Sequence, residues 1–169
     1  MIRVNLEKNN RDWQIIEDNN IVIKATRPKW YSSEIRFFFN GKTYQIKRKS
    51  FWSSSSNIFQ GGMEIGSIKY SLKKGYFVNI YNTGKTYSLS QENKGGMWKI
   101  NREYTMIDNN LRKIIKIKYS KKNFRKEIME IEKLEIEDSN YDLIMYGLDL
   151  MRRIQMSESA AAASVVPYG

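Results

Sequence analysis

The sequence predicts a mainly β fold: a closed antiparallel barrel of a dozen or so strands around one hydrophobic helix near the C-terminus. From residue 2 to about 137, short apolar or alternating runs are separated by turn residues, as in a meander or a closed barrel. The segment 139–156 then places apolar side chains over roughly 260° of a helix circumference. With 169 residues in all, we expect one domain over 1–156.

The candidate strands share short length and apolar or alternating character, and turn residues bound them. They are 2–6, 12–17, 20–25, 34–39, 42–48, 57–60, 63–71, 76–82, 85–90, 97–101, 104–108, 113–120 and 126–136. Asn40-Gly41 and Thr83-Gly84 lie where two-residue hairpin turns would, and Asn-Gly is the strongest such signal because both positions need a positive φ. The segment 124–137 also matches a helical period. We interpret 126–136 as a strand with an irregularity near Lys133.

A repeated tetrapeptide, Gly-Lys-Thr-Tyr at 41–44 and 84–87, raises the question of a phosphate-binding loop. Such a loop needs a second glycine five residues earlier, and those positions hold Arg36 and Asn79. Each copy is instead followed by a tryptophan and then by Ile-Lys-Tyr-Ser, in the same order. The pattern indicates an internal pseudo-repeat of hairpins within one domain.

The C-terminal segment predicts a helix over about 140–156. Ser139 with Asp142 forms a capping-box pattern, and the pair Arg152-Arg153 suits a helix C-terminus. A helix packed on one sheet face needs an apolar arc of little over 100°, so the wider arc predicts enclosure by the barrel. A partner helix in an oligomer and an interfacial membrane helix are the alternatives.

The last residues, 157–169, change abruptly to alanine, serine and valine. We interpret them as a mobile tail or a segment added in cloning, with docking on this domain or a neighbour as the alternative.

The composition argues against most catalytic mechanisms, because the chain contains neither histidine nor cysteine. The 18 Asp and Glu residues form no recognisable catalytic motif. We therefore expect a protein that is not an enzyme and that uses no cofactor and no metal. The polar start MIRVNLEKNN predicts no secretory signal, and no apolar run approaches the roughly 20 residues that span a bilayer. We expect a cytoplasmic protein.

In outline, the chain resembles the tubby C-terminal-like superfamily, which includes the LURP-one-related proteins and the phospholipid scramblases. The resemblance covers about 20–156 and rests on repeated Gly-Lys-x-Tyr segments (41–44), Ile-Gly-x-Ile (65–68) and a near-C-terminal apolar helix with Tyr146-Gly147-Leu148. It implies a twelve-stranded antiparallel barrel around a central helix. Tubby-type members bind phosphoinositides through basic side chains on the barrel surface. No lipid-binding or calcium-binding motif matches residue by residue, so no site is carried over.

A net charge of +11 favours polyanionic partners, and the basic residues are unevenly placed. A basic strip of eight Lys or Arg without an acid is followed by six acids and one lysine over 127–138. The strip consists of Arg112, Lys113, Lys116, Lys118, Lys121, Lys122, Arg125 and Lys126. A second basic cluster contains Lys47 and Lys49 and leads into Phe51 and Trp52, which we expect to contact a membrane or stack on a ligand.

These clusters predict a module that recognises anionic phospholipid headgroups at a membrane surface, which would make the protein peripheral. A protein-interaction or scaffold module and a single-stranded nucleic-acid binding protein are the alternatives. Single-strand binders interleave exposed aromatic rings with cations, whereas Tyr119 shares the inward parity of Ile115 and Ile117. This favours lipid or an acidic protein surface. In the plainest interpretation, the lysines are merely solvated and the aromatic side chains belong to the core or the barrel rim.

Overall fold

The computed structural model describes residues 2–6, 12–28, 34–50, 53–93, 99–122, 126–134 and 141–163. These residues form twelve strands and one helix. The strands are β1 (Ile2–Leu6), β2 (Asp12–Glu17), β3 (Asn20–Thr26), β4 (Ile35–Phe39), β5 (Lys42–Arg48), β6 (Ser56–Gln60), β7 (Met63–Ser71), β8 (Gly75–Ile80), β9 (Lys85–Asn93), β10 (Lys99–Asp108), β11 (Lys113–Lys122) and β12 (Lys126–Lys133). The helix is α1 (Tyr141–Ala163).

The strands close into a barrel in which every strand pairs antiparallel with its neighbours in sequence. The barrel closes where β1 pairs with β12, with Ile2 opposite Ile131 and Val4 opposite Met129. Closure leaves no strand edge exposed among the described strands. The predicted closed antiparallel barrel is therefore confirmed.

One turn follows its prediction and another does not. Asn40 and Gly41 take positive φ values of 49° and 70° and join β4 to β5 as a two-residue turn. The prediction for Thr83-Gly84 is wrong in length, because four residues, 81–84, connect β8 to β9. There the Thr83 hydroxyl accepts a hydrogen bond from the N–H of the residue that begins β9, so the threonine caps a wider turn.

The predicted strands 97–101 and 104–108 are a single strand, β10, in the structure. Arg102 and Glu103, which interrupt the apolar pattern, keep the ladder with β11 unbroken. Each of these two charged side chains has an oppositely charged partner, so neither has to leave the sheet.

The segment that also matched a helical period is β12. It pairs with β1 on one side and β11 on the other, which a helix could not do. It ends at Lys133, where the N–H of Leu134 still donates to the carbonyl of Ile114 on β11, and 135–136 of the predicted strand lie outside the described residues.

The barrel interior is filled by one face of each strand and by the helix. On β11, Ile115, Ile117 and Tyr119 are buried, as the alternation predicts. The largest side chains with less than 2% exposure come from both layers: Tyr104, Tyr146, Ile15, Ile23, Ile35, Ile46, Ile58, Ile68, Met106, Ile117, Ile144 and Met145.

The helix passes through the barrel. From Tyr141 to Met151 all side chains but one are buried, so the wide apolar arc is enclosed as predicted. Gly147 allows α1 to approach β11, because a Cβ there would lie 3.2 Å from the Cδ1 atoms of both Ile115 and Ile117.

The helix is longer than the predicted 140–156. It continues to Ala163, and 164–169 lie outside the described residues. Alanine has the highest helix propensity, which explains why the Ser-Glu-Ser-Ala segment extends α1. Arg152 and Arg153 are thus well inside the helix and not at its C-terminus.

The hairpin connections alternate between two ends of the barrel. We call the end at which the helix begins the start end. There Tyr141 contacts Glu17 and packs against Phe39. We call the opposite end, where the later turns of the helix emerge, the exit end. There Arg153 donates a hydrogen bond to the carbonyl of Ser54. The strands β1, β3, β5, β7, β9 and β11 finish at the exit end.

Candidate anion-binding site

The predicted basic strip follows β11, and the fold places acidic side chains beside it. Because β12 is antiparallel to β11, the acidic run lies against the basic one, and β10 adds a further glutamate on the other side. The ion pairs are Lys116–Glu103 (3.9 Å), Lys118–Glu132 (3.2 Å) and Lys121–Glu127 (3.3 Å). These partners reduce the charge that the strip presents to a ligand.

The first residues of the strip lie at the start end. Arg112 donates from its Nε and its backbone N–H to the Asp108 carboxylate, both at 2.9 Å, and Lys113 is exposed. Burial alone would raise the pKa of Asp108. Hydrogen bonds from Arg112 and the N–H of Asn110 outweigh burial and lower that pKa. Arg112 therefore stabilises this turn, and its guanidinium group is occupied by the ion pair with Asp108.

The last residues of the strip are described only in part. Lys122 and Lys126 face each other across the β11–β12 ladder, and Arg125 lies outside the described residues. The strip thus spans the barrel from end to end and is not gathered at one place.

The second basic cluster lies at the exit end. Lys47, Arg48 and Lys49 are exposed, and in the part of the chain that the structure describes no carboxylate lies within 4.0 Å of their charged groups. Phe51 and Trp52, predicted as contact residues, lie outside the described residues.

A further exit-end feature is the turn between β7 and β8, which sequence reasoning missed. Leu72 is 95% exposed, and Tyr70 is 50% exposed. Lys73 and Lys74 complete the tip and are also exposed. An apolar residue beside two lysines at a turn, where polar residues are usual, is the signal that could have revealed it.

At the exit end, the guanidinium groups of two arginines lie against the same indole ring, that of Trp13. The Arg152 Cζ lies 3.9 Å and the Arg27 Cζ 5.4 Å from the centroid of the Trp13 ring. Trp13 is 2% exposed, whereas both arginines are partly exposed. Sequence reasoning placed Arg152 at a helix end and did not single out Arg27, because only the closed barrel brings β2, β3 and α1 together here.

Burial lowers the pKa of Arg152 to about 10, and repulsion from Arg27 adds to the effect. Burial also lowers the pKa of Arg27, which is attracted by Asp149 and repelled by Arg153.

The neighbouring Arg153 is fully engaged. Its Nε donates to Asp149 Oδ2 at 2.6 Å. Its other two nitrogens donate to the Ser54 carbonyl at 2.9 Å and to the Ser56 hydroxyl at 2.8 Å. Asp149 is 4% exposed, so this ion pair within α1 is largely buried, and the bonds of Arg153 to Ser54 and Ser56 connect α1 to the β5–β6 hairpin.

The helical extension has its own connection to the rim. Glu158 accepts hydrogen bonds from Arg102 on β10 and from Gln91 on β9, the latter at 3.1 Å. This glutamate therefore neutralises Arg102 and fixes the extension across that side of the exit end.

At the start end, the first turn of α1 contains a largely buried acid. Burial raises the pKa of Asp142 in the first turn of α1, where hydrogen bonds from backbone N–H groups partly oppose the effect. Burial also raises the pKa of Tyr146, one turn further on. Lys133 lies 4.0 Å from the centroid of the Tyr141 ring.

A surface cavity of about 360 Å³ lies against β12 near the start end. Its charged lining residues are Glu17, Glu130, Glu132, Lys118 and Lys133. Three carboxylates and two ammonium groups give it mixed charge, which does not favour an anionic ligand.

Two searches of the described residues are negative. They contain no group of three or more Asp or Glu side chains placed to hold a metal ion. No helix among them combines the length and apolar character needed to cross a bilayer.

Comparison with protein-family models, with curated proteins and with solved structures finds no match. The resemblance to the tubby C-terminal-like superfamily therefore stays a prediction.

Proposed function

We propose that the protein is a non-enzymatic module that binds anionic phospholipid headgroups at a membrane surface, with its exit end facing the bilayer. One observation carries the proposal: exposed cations and a leucine that is 95% exposed lie on neighbouring hairpins at this end of the barrel. A cation near an anionic membrane surface contributes about 1 kcal/mol.

Lys47, Arg48 and Lys49 and the pair Lys73-Lys74 supply five such cations. Lys49, Lys73 and Lys74 lie in the connections at this end, and Lys47 and Arg48 are the last two residues of β5, so several of the five can approach one plane at the same time. Leu72 at the tip of the β7–β8 turn can enter the interface while the adjacent lysines remain at the headgroups.

The outer wall supports the proposal less well than the exit end. The lysines of β11 lie beside glutamates, and the wall of a barrel curves away from a plane. Base stacking also has little support, since Tyr119 is buried and the Tyr70 ring packs edge-on against Tyr76 with 5.0 Å between centroids.

Two charge-reversal variants test the orientation. The first, Lys49→Glu with Lys73→Glu and Lys74→Glu, changes exit-end tips. The matched control, Lys42→Glu with Lys85→Glu and Lys113→Glu, changes three exposed lysines at the start end and has the same net charge. Binding is measured by co-sedimentation with vesicles of phosphatidylcholine alone and with added phosphatidylserine, at two salt concentrations.

We expect binding to the anionic vesicles only, weakening with salt. The exit-end variant should bind about a hundredfold more weakly or worse, because three attractions become repulsions, and the control should stay close to the parent. Equal losses in both variants would show that net charge alone acts. Absence of vesicle binding by the parent, with a gel shift of single-stranded RNA or DNA, would replace the proposal by nucleic-acid binding.

A further inference from the structure

The exit end contains hydrogen-bond donors that lack acceptors. In the described part of the chain, neither the Nε of Arg27 nor the indole Nε1 of Trp13 has a hydrogen-bond partner, although both atoms are buried. Arg152, against the same ring, has no described hydrogen bond either. Buried donors are normally satisfied, so the two around this ring, with the partly exposed guanidinium of Arg152 beside them, form an unusual arrangement.

The local charge is also unbalanced. Arg27, Arg152 and Arg153 lie close enough to influence one another, and Asp149 is the buried carboxylate among them. That carboxylate is already bonded to Arg153. Glu127, which attracts Arg152 from β12, is exposed and pairs with Lys121.

An arrangement of this kind is costly in the free protein. Partial burial of two guanidinium groups without a described acceptor destabilises the fold, and their proximity adds repulsion. Stacking on the indole recovers only part of that cost. Such local destabilisation persists where it serves binding.

The donors at this site set the chemical requirements for an acceptor. It has to accept several hydrogen bonds, carry negative charge and match planar guanidinium groups, each of which can donate two parallel bonds. A phosphate group meets all three requirements.

We propose that Arg27, Arg152 and Trp13 form a binding site for a phosphate group in the mouth of the barrel. The inference rests on the proposed function for the source of that group, the headgroup of a lipid whose bilayer contacts the exit-end tips. A free phosphate ester would satisfy the same donors, and the experiment separates the two sources.

Phosphate binding is measured without lipid. The probes are inorganic phosphate and glycerol 3-phosphate, against chloride at equal ionic strength. The readouts are the thermal unfolding midpoint and the ³¹P line width. The test variants are Arg27→Gln and Arg152→Gln. The matched control is Arg3→Gln, which removes an exposed arginine from the outer face of β1.

We expect phosphate to raise the midpoint of the parent and of the control. Each test variant should bind about tenfold to hundredfold more weakly, as loss of a charge-assisted hydrogen bond implies. In chloride, Arg152→Gln should unfold at the same temperature as the parent or higher, since it removes repulsion. If Gln at 152 prevents folding, Arg152→Lys keeps the charge and loses the paired donors, and the same weakening is expected.

The inference is overturned if phosphate has no more effect than chloride on the parent, or if Arg152→Gln and Arg3→Gln respond alike. The exit-end tip variant distinguishes this failure from that of the proposed function. It should lose vesicle binding and keep phosphate binding. If phosphate binds while vesicles containing phosphatidic acid do not, the site takes a soluble phosphate ester and the membrane proposal fails alone.

Discussion

The two ends of this barrel belong to the same strands but differ in how their charged groups are paired. At the start end, Asp108 accepts hydrogen bonds from the backbone and side chain of Arg112, and Asp142 in the first turn of the helix accepts hydrogen bonds from backbone N–H groups. At the exit end, three arginines lie around Asp149, and among the described residues two of them have no acceptor.

At the start end, the protein's own N–H groups satisfy the Asp108 carboxylate. At the exit end, the guanidinium groups of Arg27 and Arg152 have no acceptor among the described residues. The helix and the barrel connect the two ends, so favourable interactions at the start end can offset the unfavourable charge arrangement at the exit end. Substitutions at the two ends should therefore behave differently.

The largest effect is expected from Asp149→Asn at the exit end. The change leaves Arg153 and its two arginine neighbours without a buried carboxylate, which should lower the free energy of unfolding by about 3–5 kcal/mol. Urea denaturation measures the loss.

The double variant Asp149→Asn with Arg153→Met is its control. Removing both members of a buried ion pair is often close to neutral, so most of the stability should return. A double variant as unstable as the single one would mean that the ion pair is not the cause.

A smaller effect is expected from Asp108→Ala at the start end. It removes the acceptor for two N–H groups in the turn where Leu111 has a φ of 63°, and should cost about 2 kcal/mol at pH 7.

The cost should depend on pH. The folded pKa of Asp108 lies below its ordinary value, so the contribution is present above the ordinary carboxyl pKa of about 4 and is lost as the pH falls through the folded value. Thermal unfolding of parent and variant from pH 7 to pH 2 should converge. A constant difference would contradict the assignment.

The smallest effect, of opposite sign, is expected from Asp142→Asn. Burial raises the pKa of this carboxyl in the folded state, so the parent loses stability as the pH rises from about 4 through the folded value. An amide does not ionise, and the variant should be more stable at pH 7 by on the order of 1 kcal/mol. The gain should vanish at pH 3, and a gain that persists there would point to packing.

Much of the fold could be predicted because local patterns encode it. Alternation placed Ile115 and Ile117 inward, and Asn40-Gly41 formed the expected turn. The apolar arc of α1 predicted enclosure. The errors fell where long-range pairing overrode a local pattern, as at β10, where charged residues stay in the ladder because partners across the barrel receive them.

The candidate site was less predictable for the same reason. The basic strip was visible as a run of lysines, but the glutamates beside it come from the neighbouring strands. The donors of the proposed site come from β2, from the residue after β3 and from α1, which are up to 139 positions apart and which no spacing rule connects.

By itself, the sequence determined most of the strands, the Asn40-Gly41 turn and a helix that has to be enclosed, since period and turn chemistry act over a few residues. Only the tertiary structure decided which charges are neutralised and which are left without a partner. Charge balance depends on distances across the barrel, and those exist only once β1 has paired with β12.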